Sequence, residues 1–320
     1  MTLPAPRFTS IPEDRAEVIE VETAPGITLL AYRIRKGPDS GPAILFGHAN
    51  GLAAGSYLPL LELLSDRIQV FAFDSRGHGG SSVPLNDLPR DYSRSAMVED
   101  LVEVIKAVRA RIGEAPLYYA GHSKCAVEAL HLGVAFGRHP WRAVTLFEPP
   151  LLPPKGHPLR PVIGDAPPPI IEMSRRRRPR WPSPEALARS LAKRPVFAHC
   201  LPEMLAAHCR ATLRPIRPGE DGGPGEGDYT LCCPPEVEAQ VFITHTHPSN
   251  FEAVARFPGP LTLVGAEPDE AAPGDWLPAA LAAAAQTNPG CRYIPMRGVS
   301  HMLLLEAPEL CANVILEMFG

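Results

Sequence analysis

The chain's patterning predicts an α/β architecture: a mostly parallel sheet with helices on both faces, interrupted by an inserted, mainly helical cap. Three observations carry this. Short apolar runs alternate with stretches of helical periodicity, the alternation stops near Leu151 and resumes after Phe257, and prolines crowd the stretch between. Proline is 39 of 320 residues, about 12% against a usual share of about 5%. The expected layout is therefore a core of residues 1–150 and 258–320 around a Pro-rich cap over 151–257.

In order, Glu17 to Thr23 and Thr28 to Ile34 read as strands flanking a Pro25-Gly26 turn. Ala43 to Phe46 is a buried strand ending in Gly47-His48-Ala49-Asn50-Gly51, and Tyr57 to Leu64 carries apolar residues at helical spacing. Val70 to Phe73 is the next strand, closed by Asp74-Ser75-Arg76-Gly77-His78-Gly79-Gly80. Ser95 to Ile112 has Val98, Leu101, Val102, Ile105 and Val108 on one helical face. Leu117 to Ala120 is a strand, Ala126 to Phe136 a mostly apolar and therefore buried helix, and Ala143 to Phe147 a strand. After the insertion, Leu261 to Val264, Leu277 to Ala285, Arg292 to Pro295 and Pro308 to Phe319 read as strand, helix, strand and helix. Parallel strands joined through helices put their binding sites at the strands' carboxyl ends, so the loops there are where chemistry is expected.

Composition narrows the function. Hydrophobic residues at 45% and charged residues at 21% suit a globular chain with a sizeable core, which excludes wholesale disorder. A net charge of −4 leaves no basic surplus to displace counterions from a polyphosphate, so no nucleic-acid partner is expected. No apolar run is long enough to span a membrane, and Met1 to Arg15 lacks the apolar stretch of a signal peptide. The expected location is cytoplasmic, with the seven cysteines reduced, because their spacing suggests neither a disulfide framework nor a metal clamp. No cofactor is expected.

Gly121-His122-Ser123-Lys124-Cys125 stands between a strand and a helix, where a sharp turn can expose the hydroxyl of Ser123 above a helix N-terminus that favours a developing anion. The alternative is that Ser123 merely caps that helix. Serine needs a base within hydrogen-bond reach, and histidine has the suitable pKa. His301, after the last strand and before the apolar run Met302 to Leu305, is the candidate. His48 and His78 lie in glycine-rich turns and read as loop-holding groups.

In these motifs the chain resembles the α/β-hydrolase fold superfamily, as a serine-nucleophile member with its cap inserted after the sixth strand. The likeness extends from Ala43 to the end. Gly47 to Gly51 matches the family's His-Gly loop, Arg76-Gly77-His78-Gly79-Gly80-Ser81 its Arg-Gly-His-Gly-x-Ser loop, and Gly298-Val299-Ser300-His301 its histidine loop. Cys125 departs from the pattern by replacing the elbow's second glycine. The resemblance implies a triad of Ser123, His301 and an acid, with the amides of Asn50 and Lys124 as oxyanion donors. For the acid, Asp269 in Gly265-Ala266-Glu267-Pro268-Asp269-Glu270 is the first choice. Glu148, directly after the sixth strand, is the second, and Glu267 the third.

Other features carry less. The Arg175 to Arg180 run is expected to form a solvated face of the cap, His245-Thr246-His247 lacks further metal ligands at recognisable spacing, and Cys232-Cys233 is expected to pack. Met173, Trp181, Phe197, Leu201, Met204, Leu205 and Phe242 of the insertion could wall an apolar pocket or form the cap's own core. The resulting expectation is a serine hydrolase that cleaves an ester-type acyl bond of a hydrophobic small molecule through an acyl-enzyme. Serine rather than aspartate at the elbow argues against epoxide or haloalkane chemistry. The rivals are a non-catalytic ligand-binding member of the fold and an acyltransferase using the same residues.

Overall fold

The computed structural model describes residues 7–137, 139–163, 168–221, 223, 226–267 and 276–319. Among the described residues eleven strands run β1 Ala16–Ala24, β2 Ile27–Ile34, β3 Ala43–Gly47, β4 Gln69–Asp74, β5 Leu117–His122, β6 Val144–Phe147, β7 Arg180–Trp181, β8 Leu213–Pro215, β9 Tyr229–Leu231, β10 Leu261–Ala266 and β11 Cys291–Met296. The helices are α1 Leu58–Ser65, α2 Leu88–Asp91, α3 Arg94–Ile112, α4 Lys124–Phe136, α5 Arg160–Ile163, α6 Ile170–Arg175, α7 Pro184–Leu191, α8 Pro202–Thr212, α9 Pro235–His245, α10 Ser249–Arg256, α11 Leu277–Ala285, α12 Leu303–Glu306 and α13 Pro308–Leu316.

Eight strands form one sheet in the order β1-β2-β4-β3-β5-β6-β10-β11. β1, β2 and β4 pair antiparallel in succession, and every pair from β4 to β11 is parallel. Strands β3 to β6 are buried along their whole length, as strands covered on both faces must be. On one face Leu101, Val104 and Val108 of α3, Leu130 of α4, Val254 of α10 and Leu281 of α11 pack over Leu45, Phe71 and Tyr119. On the other, Leu60 and Leu64 of α1, Leu303 to Leu305 and Ile315 of α13 cover Ile44, Phe46 and Val70.

The inserted segment supplies no strand to this sheet. It carries its own three-stranded antiparallel sheet, β7-β9-β8, which the sequence reading does not include. These strands are two or three residues long, too short for alternation to register. Around them Trp181, Leu187, Leu191, Leu205, Cys209, Leu213 and Leu231 form a small separate core. α10, although read as part of the insertion, packs on α4 and α11 of the main body.

Candidate active site

Ser123 joins β5 to α4 with φ 51° and ψ −104°, in the left-handed half of backbone space, and its side chain makes no capping hydrogen bond. The capping alternative therefore fails. Two bonds hold the turn: the Ser123 N–H donates to the Phe147 carbonyl at 2.8 Å, and the Val127 N–H donates to the Ser123 carbonyl at 3.2 Å. Close approach of strand and helix requires Gly121, where a Cβ would stand 3.0 Å from the Ala126 nitrogen. Cys125 fits in place of the second glycine because β3 ends in Gly47. A Cβ at Gly47 would lie 2.5 Å from that of Cys125. The missing side chain has moved from the helix to the neighbouring strand.

Glu148, one residue past β6, is the other non-glycine residue of positive φ among the described residues, at 49°. It is buried. Its N–H donates to the Val264 carbonyl at 2.8 Å, its Oε1 accepts the Ala266 N–H at 2.6 Å, and its Oε2 lies 3.1 Å from His301 Nδ1. Gly265 makes room for it, since a Cβ there would lie 2.8 Å from Glu148 Oε1. The glycine taken in the sequence as the start of an acid-bearing turn thus serves the carboxylate of the neighbouring strand. Glu267 faces away and pairs with Arg297, its Oε2 3.0 Å from Nε. Asp269, the first choice from sequence, lies outside the described residues. Of the two candidates among the described residues, Glu148 is the one in contact with the imidazole.

His301 is fixed through its backbone. His122 Nε2 donates to its carbonyl at 2.9 Å, which makes His122 Nδ1 the acceptor of the Tyr57 hydroxyl at 2.7 Å. Burial, then the neighbouring His301, drives the His122 pKa well below its ordinary value, so the ring stays neutral. Glu306 anchors the loop from below, its two oxygens accepting the Ser300 N–H and hydroxyl at 2.6 Å each. Neither Tyr57 nor Glu306 stands out in the sequence. His122 does, as the residue before the serine, but its bond to a loop far along the chain carries no local signal.

The amide N–H groups of Asn50 and Lys124 have no hydrogen-bond acceptor among the described residues. The Asn50 side chain donates to the Glu238 carbonyl on α9 at 2.9 Å, and the Gly51 N–H donates to His78 Nε2 at 3.2 Å. Burial holds the His78 imidazole down to about 3. His48 Nδ1 donates to the Ala49 carbonyl at 2.8 Å while its Nε2 accepts the Ser75 N–H at 2.9 Å. Both histidines hold loops.

In the arginine run Arg175, Arg176 and Arg178 are exposed, as a solvated face requires, while Arg177 and Arg180 are half-buried. Arg177 pairs with buried Glu238, Arg175 with Glu172 and Glu236, and Arg178 lies over Trp181 at 4.8 Å. His245 faces Glu128, and no group of three metal-ligating residues gathers among the described residues. Cys232 and Cys233 are buried, and burial raises both thiols. No helix among the described residues is long and apolar enough to cross a membrane.

Comparison with known proteins places the chain in a family. Protein phosphatase methylesterase 1 of Mus musculus is 29% identical over 134 residues, 40% of this chain and 33% of that protein. The 3-oxoadipate enol-lactonase 1 of Acinetobacter baylyi is 29% identical over 98 residues, 31% of this chain and 34% of that one. The matches thus span about a third of these relatives' length. Among solved structures, E-2-(acetamidomethylene)succinate hydrolase superposes with a TM-score of 0.71 at 19% identity over 95% of this chain and 99% of its own. An esterase from Thermogutta terrifontis superposes at 0.64 with 18% identity, over 95% and 98%. The family profile described as alpha/beta hydrolase matches residues 44–314, and the chain belongs to that family.

Proposed function

We propose that the protein is a serine hydrolase of ester-type acyl bonds, with Ser123 as nucleophile, His301 as general base and Glu148 as the orienting acid. One observation carries the reading. The only two described non-glycine residues held in left-handed backbone are Ser123 and Glu148, on adjacent strand ends, and the imidazole of His301 meets the second. Such backbone costs about 1–3 kcal/mol per residue and persists where the surroundings enforce it. A ligand-binding member without chemistry has no need of either strain.

In the proposed cycle the Ser123 oxygen bonds to the acyl carbon as its proton passes to His301 Nε2. Glu148 holds the Nδ1–H tautomer and stabilises the imidazolium, while the Asn50 and Lys124 amides donate to the oxyanion. Collapse breaks the bond to the leaving oxygen, which takes the proton from Nε2. Water then enters by the same steps in reverse and releases the acid. The family names of ester and lactone hydrolases support this class of bond, and the apolar side chains of Leu201, Met204 and Phe197, packed with Leu303 to Leu305, support a hydrophobic acyl group.

A fluorophosphonate tests the nucleophile. Wild type should gain one adduct by intact mass and lose p-nitrophenyl ester hydrolysis, while Ser123→Ala should remain folded, unlabelled and inactive. A folded wild type that takes no label would favour the ligand-binding reading.

A further inference from the structure

Beneath the elbow is a polar chain that the proposed cycle does not use. Lys124 follows the nucleophile, and its ammonium is buried to 1% exposure. Nζ donates to Ser75 Oγ at 2.7 Å, Glu128 Oε1 at 2.9 Å and Cys125 Sγ at 3.3 Å. Glu128 is equally buried and also lies 3.3 Å from His245 Nε2 of α9. The chain continues from Ser75. Its N–H donates to His48 Nε2, and His48 Nδ1 donates to the Ala49 carbonyl. That carbonyl shares a planar peptide unit with the Asn50 N–H, so fixing one fixes the direction of the other. The Ala49 N–H is held as well, by the Tyr57 hydroxyl at 3.2 Å.

We propose that the Lys124 side chain is a positioning residue that, through Ser75 and His48, sets the spacing and aim of the two oxyanion-binding amides, those of Lys124 and Asn50. The inference rests on the serine-hydrolase reading above. One amide belongs to Lys124 itself, at the first turn of α4. The other lies at the far end of the hydrogen-bonded chain, on the loop after β3. Ser75, on the loop after β4, is the bridge. A buried ammonium needs acceptors, and here meeting that need draws the elbow helix and both loops together. The ion pair is firm: although burial alone would raise it, the Glu128 carboxyl is held down to about 2 by Lys124 and then by His245. Since the donors are backbone groups, substituting Lys124 leaves both present and tests only their placement.

Ser75→Ala removes one acceptor and keeps the ion pair and the backbone bond to His48. Its kcat should fall roughly tenfold with KM unchanged, a fraction of the 10²–10³ lost with a whole oxyanion donor. A trifluoromethyl ketone, whose Ser123 adduct carries an oxyanion, should lose affinity in parallel, and Ser75→Thr should restore both. The double variant Lys124→Met with Glu128→Leu replaces the buried pair by apolar groups, so its melting temperature should stay near wild type while its kcat falls. Wild-type kcat and inhibitor affinity in Ser75→Ala, or in a stably folded double variant, would overturn the proposal and leave the pair a packing feature. An unlabelled wild type in the fluorophosphonate assay would instead overturn the reading beneath it.

Discussion

The strand ends and the inserted segment keep polar groups out of water in different ways. At the strand ends, buried polar side chains bind one another and the backbone in continuous sets. Asp74 accepts from Ser10, Tyr32, Ala54 and Gly80, and Glu148 from Ala266 while facing His301. Within the insertion the core is seven apolar side chains, and several of its buried polar contacts cross the joint with the sheet. Arg177 and Glu238 lie against Gly51, Asn50 donates to the Glu238 carbonyl, and His208 faces Ser56 at 3.1 Å. Strain and charge at the strand ends are fixed by the sheet itself. The insertion has order of its own in its small core, and it grips the loop after β3 through the Glu238 carbonyl.

The largest expected effect tests whether the strand ends alone supply the chemistry. Glu148→Gln keeps the shape but holds His301 in the wrong tautomer, which should lower kcat by about 10⁴. Asp269→Asn and Glu267→Gln should keep near-normal turnover under the same assay. A dead Asp269→Asn beside an active Glu148→Gln would return the acid to the loop after β10.

The same contrast decides how much was legible in the sequence. Core elements were found to within three residues because buried strands and long amphipathic helices each leave a periodic trace. Leu277 to Ala285 agrees to the residue. The turn that carries Ser123 was legible because its surroundings are local: a glycine, a strand before, a helix after. The contact of Glu148 with His301 was not, since it depends on the left-handed backbone of Glu148 and the gap at Gly265, which belong to neighbouring strands. The buried pair of Lys124 and Glu128, four apart on an apolar helix, was not read from the sequence, and its third partner, Ser75, comes from another strand end. In the insertion, prolines mark boundaries without revealing pairing, so β7, β8 and β9 stayed hidden.

A smaller effect is expected from acid, and it distinguishes the joint from the strand ends. His208, buried on α8 at the joint, has its imidazole pushed down to about 3, first by burial and then by the charge of Arg177. Its folded pKa lies below the unfolded value near 6.5, so unfolding takes up a proton. Stability should be intact above pH 6.5 and decline by about 1.4 kcal/mol per pH unit as the pH falls toward 3. His78 at the strand ends acts in the same direction over the same window. Glu128, depressed to about 2, stabilises above its unfolded value near 4.5 and loses that contribution only below it. Between pH 7 and 5, His208→Gln should therefore lose about 2 kcal/mol less stability than wild type, as read by urea unfolding at both pH values. Equal losses would mean that the imidazole of His208 reaches water at the joint.

The smallest expected effect concerns what the insertion contributes to substrate choice. Of the apolar residues that could wall a pocket, Trp181 and Leu205 belong to the small core of the insertion and Met173 is exposed. Met204, Phe197 and Leu201 pack instead with Leu303 to Leu305, the run that follows His301. The apolar cluster that follows the histidine loop is thus built jointly by the start of α8 and by α12. Each methylene of an acyl chain buried against it should gain about 0.8 kcal/mol. Lengthening the acyl chain of a p-nitrophenyl ester by two or three methylenes should then raise kcat/KM about tenfold or more, until the space is filled. Leu201→Ala with Met204→Ala should flatten that rise while leaving turnover of the acetate ester within about threefold, since neither side chain touches the strand-end polar network. A chain-length profile already flat in wild type would mean that the insertion meets its substrate through polar groups, with Arg177, which lies against Gly51, a charged candidate.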